Sequence, residues 1–116
     1  IRERGGWVAG YGKRKLRKSH TIRYLVKGAE KNHPMAQYKL ARYYENGKYV
    51  KKSKKEAFRW YKEAAEQGHP LAQYDLGICY YNGKGVEKSR DEAVKWWTAA
   101  AKQGEKNAKK ALKDIE

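Results

Sequence analysis

His33 and His69, the single Cys79 and two glycine–lysine stretches are the residues whose types and spacing invite a search for chemistry. The two histidines each stand directly before a proline, and neither has a cysteine or a second histidine at ligand spacing. A metal site needs three or four such donors within reach, so both read as turn residues. Cys79 occupies a core-facing helical position with no histidine nearby, which describes an inert buried thiol rather than a nucleophile. Gly83-Lys84-Gly85 resembles the start of a phosphate-cradling loop but lacks the third glycine and a preceding strand. Gly6 to Lys13 misses the phosphate-loop spacing by one residue, and Arg14 stands where Ser or Thr is required. No serine is followed three residues later by lysine, which removes that nucleophile class. Glu56 and Asp91-Glu92 lie just after Ser53 and Ser89 and are explained by helix capping. No catalytic residue, cofactor or metal site is expected; the chain reads as a non-enzyme.

Charge is the second lead. The formal net charge is +15 on 13.5 kDa, which favours acidic partners. It is uneven: residues 1–32 carry ten Lys/Arg against two Asp/Glu, whereas residues 69–104 carry five against four. Five cations fall within Lys13, Arg14, Lys15, Leu16, Arg17 and Lys18, and a second run holds Lys48, Lys51, Lys52, Lys54 and Lys55. Basic segments interleaved with aromatics can neutralise phosphates and stack bases, so nucleic acid is a possible partner. Leu16 is the one large apolar residue in 13–18, which makes amphipathic membrane attachment a weaker reading. One cysteine rules out an intramolecular disulfide and the small disulfide-rich secreted class. No apolar run reaches transmembrane length, and no signal-peptide core is visible. A cytoplasmic location is expected, although the chain opens on Ile1 and a removed signal sequence remains open. Oligomeric state is not set by the sequence.

The elements that carry these residues are announced by repetition. Between 33–68 and 69–104, twenty of 36 positions are identical. A fixed period of this length marks a stacked-repeat architecture. Each unit reads as two helices. The first opens at His-Pro, runs through Ala72, Leu76, Cys79 and Tyr80 at helical spacing, and stops at Asn82-Gly83. The second opens at a Ser-x-x-Glu capping box and buries Ala57, Trp60, Tyr61, Ala64 and Ala65, or Ala93, Trp96, Trp97, Ala100 and Ala101. Trp60 and Trp96 are expected to fill the spaces between helices. Thr21, Tyr24, Leu25, Gly28 and Ala29 fall in the second-helix register, and Ala108 and Leu112 in the first-helix register. A hairpin this small cannot bury its own apolar face, so copies must stack. The expected fold is an all-α solenoid of antiparallel helix pairs over 20–116, with helices near 20–31, 34–46, 54–67, 70–82, 90–103 and 105–115. It holds two full 36-residue repeats, flanking half-repeats and a capping helix in 105–116. Residues 1–19 form a basic, Gly-rich segment outside both registers, either capping through Trp7 and Tyr11 or mobile until a partner arrives.

The run Ala72, Leu76-Gly77, Tyr80, Gly83-x-Gly85-Val86, Ala93, Trp96, Ala100-Ala101 and Gly104 resembles the Sel1-like repeat, a relative of the tetratricopeptide repeat. The resemblance implies a right-handed αα superhelix that serves as an adaptor, holding protein partners on its inner curve. The first unit departs at two family glycines. Ala41 is expected to be tolerated by a slight separation of the helices, and Tyr49 to impose a different loop conformation.

If first helices line the inner curve, as in that family, Tyr38, Arg42, Tyr74, Ile78 and Tyr81 lie on the side away from the Leu76 stripe. They form either a partner-binding strip or packing between repeats. The expected function is a non-catalytic protein-interaction adaptor for an acidic protein or peptide. The alternative is an RNA-binding component of a ribonucleoprotein acting through the basic N-terminal half.

Overall fold

The computed structural model describes residues 20–116. The segment containing Lys13, Arg14, Lys15, Arg17 and Lys18, and the expectation of a cap through Trp7 and Tyr11, lie outside them. Six helices run in order among the described residues: α1 (20–30), α2 (Pro34–Asn46), α3 (Lys54–Glu66), α4 (Pro70–Asn82), α5 (Arg90–Lys102) and α6 (Lys106–Asp114). They pack in chain order, α2 on α3, α3 on α4, α4 on α5 and α5 on α6, as an αα superhelix of repeats. Every boundary falls within about one residue of the expected one.

The helix starts and stops follow from local chemistry. Ser53 and Ser89 accept hydrogen bonds from the Glu56 and Glu92 amides at 3.1 and 3.2 Å. The reciprocal half of the capping box gives way to a better acceptor: the serine amides donate to the Tyr44 and Tyr80 carbonyls, both at 2.9 Å. Those carbonyls belong to the last turns of α2 and α4, which lack intrahelical donors, so one bond repairs a helix end and anchors the hairpin. The three-residue turns between repeats share a left-handed residue: Asn32 (φ 70°), Gly68 (φ 91°) and Gly104 (φ 90°). Asparagine is among the few side chains that tolerate this region.

The core consists of small residues from one helix facing rings from the next. Leu40, Ala41, Tyr61, Ala64, Ala65, Ala72, Leu76 and Trp97 are almost wholly buried. Tyr61 and Trp97, rather than Trp60 and Trp96, are the deepest rings. Trp96 is only half-buried, and its indole N–H has no partner among the described residues. Tyr24, in the Trp60 register, is 82% exposed. No described helix precedes α1 to cover it, whereas Ala29 and Gly28 on its other face meet α2; a Cβ on Gly28 would stand 2.9 Å from that of Ala36.

Two buried glutamines tie successive repeats together. Gln37 Nε2 donates to the Ala29 carbonyl at 3.0 Å, and Gln67 Nε2 donates to Gln37 Oε1 at 2.7 Å. One repeat later, Gln73 Nε2 donates to the Ala65 carbonyl at 3.2 Å and Gln103 Nε2 to Gln73 Oε1 at 2.9 Å. Each inner glutamine thus uses both ends of its amide at a buried position, where an unpaired amide is costly.

Of the two departures from the repeat pattern, the one at Tyr49 resolves differently from expectation. Tyr49 does not alter the loop: its φ of 67° matches the 72° of Gly85. The left-handed strain, about 1–3 kcal/mol for a non-glycine residue, is offset by the ring's edge contact with Tyr43 at 5.2 Å and by the Lys48 ammonium 5.4 Å from its centre. Gly85 has a second constraint, because a Cβ there would run into the Lys54 carbonyl of the preceding repeat. Ala41 meets a smaller ring, since a tyrosine, Tyr61, stands where repeat two has the bulkier Trp97.

Candidate partner-binding groove

Three adjoining depressions are lined mainly by the first helices α2, α4 and α6, with Tyr61 of α3 and Trp97 of α5 contributing. The first, about 370 Å³, is lined by Tyr38, Lys39, Arg42, Tyr43, Asn46 and Lys48. The second, about 450 Å³, shares Tyr38, Arg42 and Asn46 with it and adds Glu45, Tyr61, Asp75 and Asn107 among others. The third, about 510 Å³, shares Tyr74 and Asn107 with the second and adds Ile78, Tyr81, Trp97, Lys110, Asp114 and Ile115 among others. Shared walls make them one groove from the α2 end to the space between α4 and α6.

The five residues picked from the sequence for this side all line the groove, with unequal roles. Tyr38 is 8% exposed; it stacks on His69 with ring centres 4.9 Å apart and accepts a hydrogen bond from Arg42 Nη1 at 3.3 Å. It is more wall than contact. Tyr74 and Ile78 are half-buried against the cluster of Ala93, Trp97, Ala100 and Ala108. Arg42 is exposed, and Tyr81 is 42% exposed with its ring centre 5.4 Å from that of Trp97. Lys48, Lys51, Lys52, Lys54 and Lys55 are exposed. Of these five, only Lys48 lines the groove.

Sequence reasoning missed the polar centre. Glu45 Oε1 accepts from the Tyr61 hydroxyl at 2.6 Å, and Glu45 Oε2 faces Lys84 Nζ at 3.4 Å. Asp75 lies half-buried nearby; burial and then the Glu45 charge push its pKa up to about 6, against the pull of Arg42 and the Tyr38 hydroxyl. Burial, with the Glu45 and Asp75 charges, raises the Cys79 thiol to about 12, so the thiol stays protonated and unreactive at neutral pH. Neither Glu45 nor Asp75 repeats, because their register partners are Tyr81 and Lys39. A search for repeated positions passes over them for that reason. Asn46 does repeat, as Asn82, but its role in the helix stop masked its place in the groove wall.

His69 caps α4 through Nδ1, which accepts from the Ala72 amide at 3.2 Å, and burial holds its pKa below the ordinary imidazole range. The corresponding His33 makes no side-chain cap. Among the described residues no three His, Cys, Asp or Glu gather as a metal site, and no helix is long and apolar enough to cross a membrane.

A stack of helical hairpins with an open groove along it defines a scaffold of the solenoid class. The chain belongs to the Sel1 repeat family: the family model matches residues 34–69 and 70–105. Proteins of this family generally mediate protein–protein interactions on a typically non-catalytic scaffold. Among solved structures, the chain is similar to a Sel1 repeat protein from Oxalobacter formigenes, with 45% identity and a TM-score of 0.79 over 80% of this chain and 70% of that one. A protective antigen of uropathogenic Escherichia coli with an SLR fold is 36% identical, with a TM-score of 0.78 over 80% of this chain and 20% of that one. Helicobacter pylori cysteine-rich protein B is 36% identical, with a TM-score of 0.73 over 83% of this chain and 68% of that one. No curated protein matches the chain.

Proposed function

We propose that the chain is a non-catalytic adaptor whose inner groove holds a segment of an acidic protein. The observation that carries this reading is the continuity of the groove across both repeats, with exposed Lys39, Arg42 and Lys48 at one end. The net charge of +15 would steer an acidic partner toward the scaffold and speed encounter. Affinity would then come from the groove, where rings and cations are already positioned. Nucleic acid is the second reading, supported by the exposed run Lys51, Lys52, Lys54 and Lys55 with Tyr49 41% exposed beside it.

Fluorescence anisotropy with polyglutamate, single- and double-stranded RNA, and DNA separates the two readings when repeated from low to about physiological ionic strength. The adaptor reading expects RNA and DNA binding to vanish as salt rises, regardless of sequence. Tight RNA binding that survives about 0.15 M salt and prefers one nucleic-acid form overturns it in favour of a ribonucleoprotein component.

A further inference from the structure

The three parts of the groove differ in chemistry, and the order of the differences specifies an occupant. At the α2 end, Lys39, Arg42 and Lys48 line the depression and no carboxylate does. Among the described residues, none of the three forms an ion pair. In the middle, Glu45 and Asp75 bring negative charge, and the amides of Asn46 and Asn107 offer both donors and acceptors. At the α4–α6 end, Ile78, Tyr81, Trp97 and Ile115 supply an apolar wall, with Lys110 and Asp114, a cation and a carboxylate, beside it.

We infer that the groove takes a short extended acidic–apolar peptide segment, with Asp or Glu side chains at the α2 end and one large apolar side chain between α4 and α6. This inference rests on the adaptor reading and adds the order of the contacts. Charge complementarity selects the acidic end. Glu45 is already paired with Lys84 and Arg42 faces Asp75, so the middle holds no spare cation for a second acidic cluster. The central asparagines suit the backbone of an extended segment, which needs a donor and an acceptor at each residue. If neighbouring inner helices are spaced at about 10 Å, the distance typical of packed helices, the two ends are separated by roughly 15 Å. Extended chain covers about 3.3 Å per residue, which puts the acidic and apolar side chains about four or five residues apart.

The test uses the full chain and a labelled peptide, Glu-Glu-Ser-Gly-Ser-Leu-Phe, with one control in which both Glu are Lys and another in which Leu-Phe is Ser-Ser. Each control is expected to bind at least about tenfold more weakly. The double substitution Lys39→Glu with Lys48→Glu should lose the parent peptide by a similar factor and gain the lysine peptide. Such a charge swap cannot come from the overall charge. Tyr81→Ser should weaken the parent peptide while leaving the Ser-Ser peptide unchanged. All three positions are exposed, and far-UV circular dichroism verifies that the variants remain folded. An unchanged parent affinity in the Lys39→Glu/Lys48→Glu variant overturns the inference. So does a loss that instead follows neutralisation of Lys51, Lys52, Lys54 and Lys55. If polyglutamate still binds at physiological salt in either case, the adaptor reading survives and only the ordered groove is lost. If polyglutamate also fails while RNA binds, both fall.

Discussion

Trp97 packs directly on the backbone of Gly77: a Cβ added there would stand 2.5 Å from Trp97 Cδ1, and the indole N–H donates to the Tyr74 carbonyl at 3.1 Å. Repeat one solves the same contact with another set of residues. Ala41 replaces the glycine, Tyr61 replaces the tryptophan, and Glu45 stands in the register of Tyr81 to take the tyrosine hydroxyl at 2.6 Å. The three positions change together because ring size, backbone clearance and a polar partner are one packing problem. Gly77→Ala should therefore destabilise the fold by about 1–3 kcal/mol through overpacking, despite the better helix propensity of alanine. Adding Trp97→Tyr should recover part of that loss. Urea unfolding of both single variants and the double variant gives the coupling; strictly additive effects would show that the two sites do not share the contact.

The fold was legible because its signals are local and repeated. Pro34 and Pro70, Asn-Gly at 46–47 and 82–83, and the serine caps each act within a few residues, and the 36-residue period shows them twice. What escaped was pairwise across helices. Tyr49 looks incompatible with a glycine position until Tyr43 is seen beneath its ring. Trp96 and Trp97 are adjacent in sequence, so only the neighbouring helices decide which one is buried. The groove was half legible. Its rings follow from helical spacing, but Glu45 and Asp75 lie on different helices, and their proximity is a product of stacking.

The glutamine pairs yield a second prediction. Gln37 and Gln73 are visible in the sequence only as one of the twenty identities between the repeats, yet they bridge successive repeats through the Ala29 and Ala65 carbonyls. Gln73→Leu would leave the Ala65 carbonyl and the Gln103 amide without these partners. The expected loss is about 1–3 kcal/mol, with the far-UV spectrum retained below the transition. Gln103→Ala leaves the buried Gln73 Oε1 without its partner and should cost a similar amount. An unchanged thermal midpoint in both variants would refute the buried bridge.

Asp75 should make stability depend on pH. Its folded value of about 6 lies above the ordinary carboxyl range near 4, so the folded state binds more protons in between. Stability from this group therefore rises as pH falls through about 6 and levels off near 4, by roughly 1–3 kcal/mol. Arg42 and Tyr38 oppose the shift, whereas Glu45 on α2 and Glu105 before α6 add to it. His69 acts in the opposite sense, because its depressed pKa makes protonation at low pH destabilising. Comparing wild type with Asp75→Asn isolates the carboxyl: their stability difference should be largest above about pH 7 and shrink toward pH 4. Parallel curves across that range would remove Asp75 as the cause.

The start of α3 supplies the last prediction. Lys54 and Lys55 place two cations in the first turn of a helix, where the backbone dipole presents its positive end. The corresponding positions of α5 are Arg90 and Asp91, so repeat two has a carboxylate where repeat one has Lys55. Lys55 is exposed, and its backbone, with that of Lys54, lies against Gly85. Lys55→Asp changes the charge without disturbing that contact, and should stabilise the protein by about 0.3–1 kcal/mol at low ionic strength. Urea unfolding at low and at about 0.5 M salt checks this, with the gain shrinking as salt rises. If the variant also binds acidic or phosphate-bearing partners more weakly, the Lys54–Lys55 pair sacrifices helix stability for a binding surface. If binding is unchanged, the lysines carry no partner contact, and the groove alone remains as the docking site.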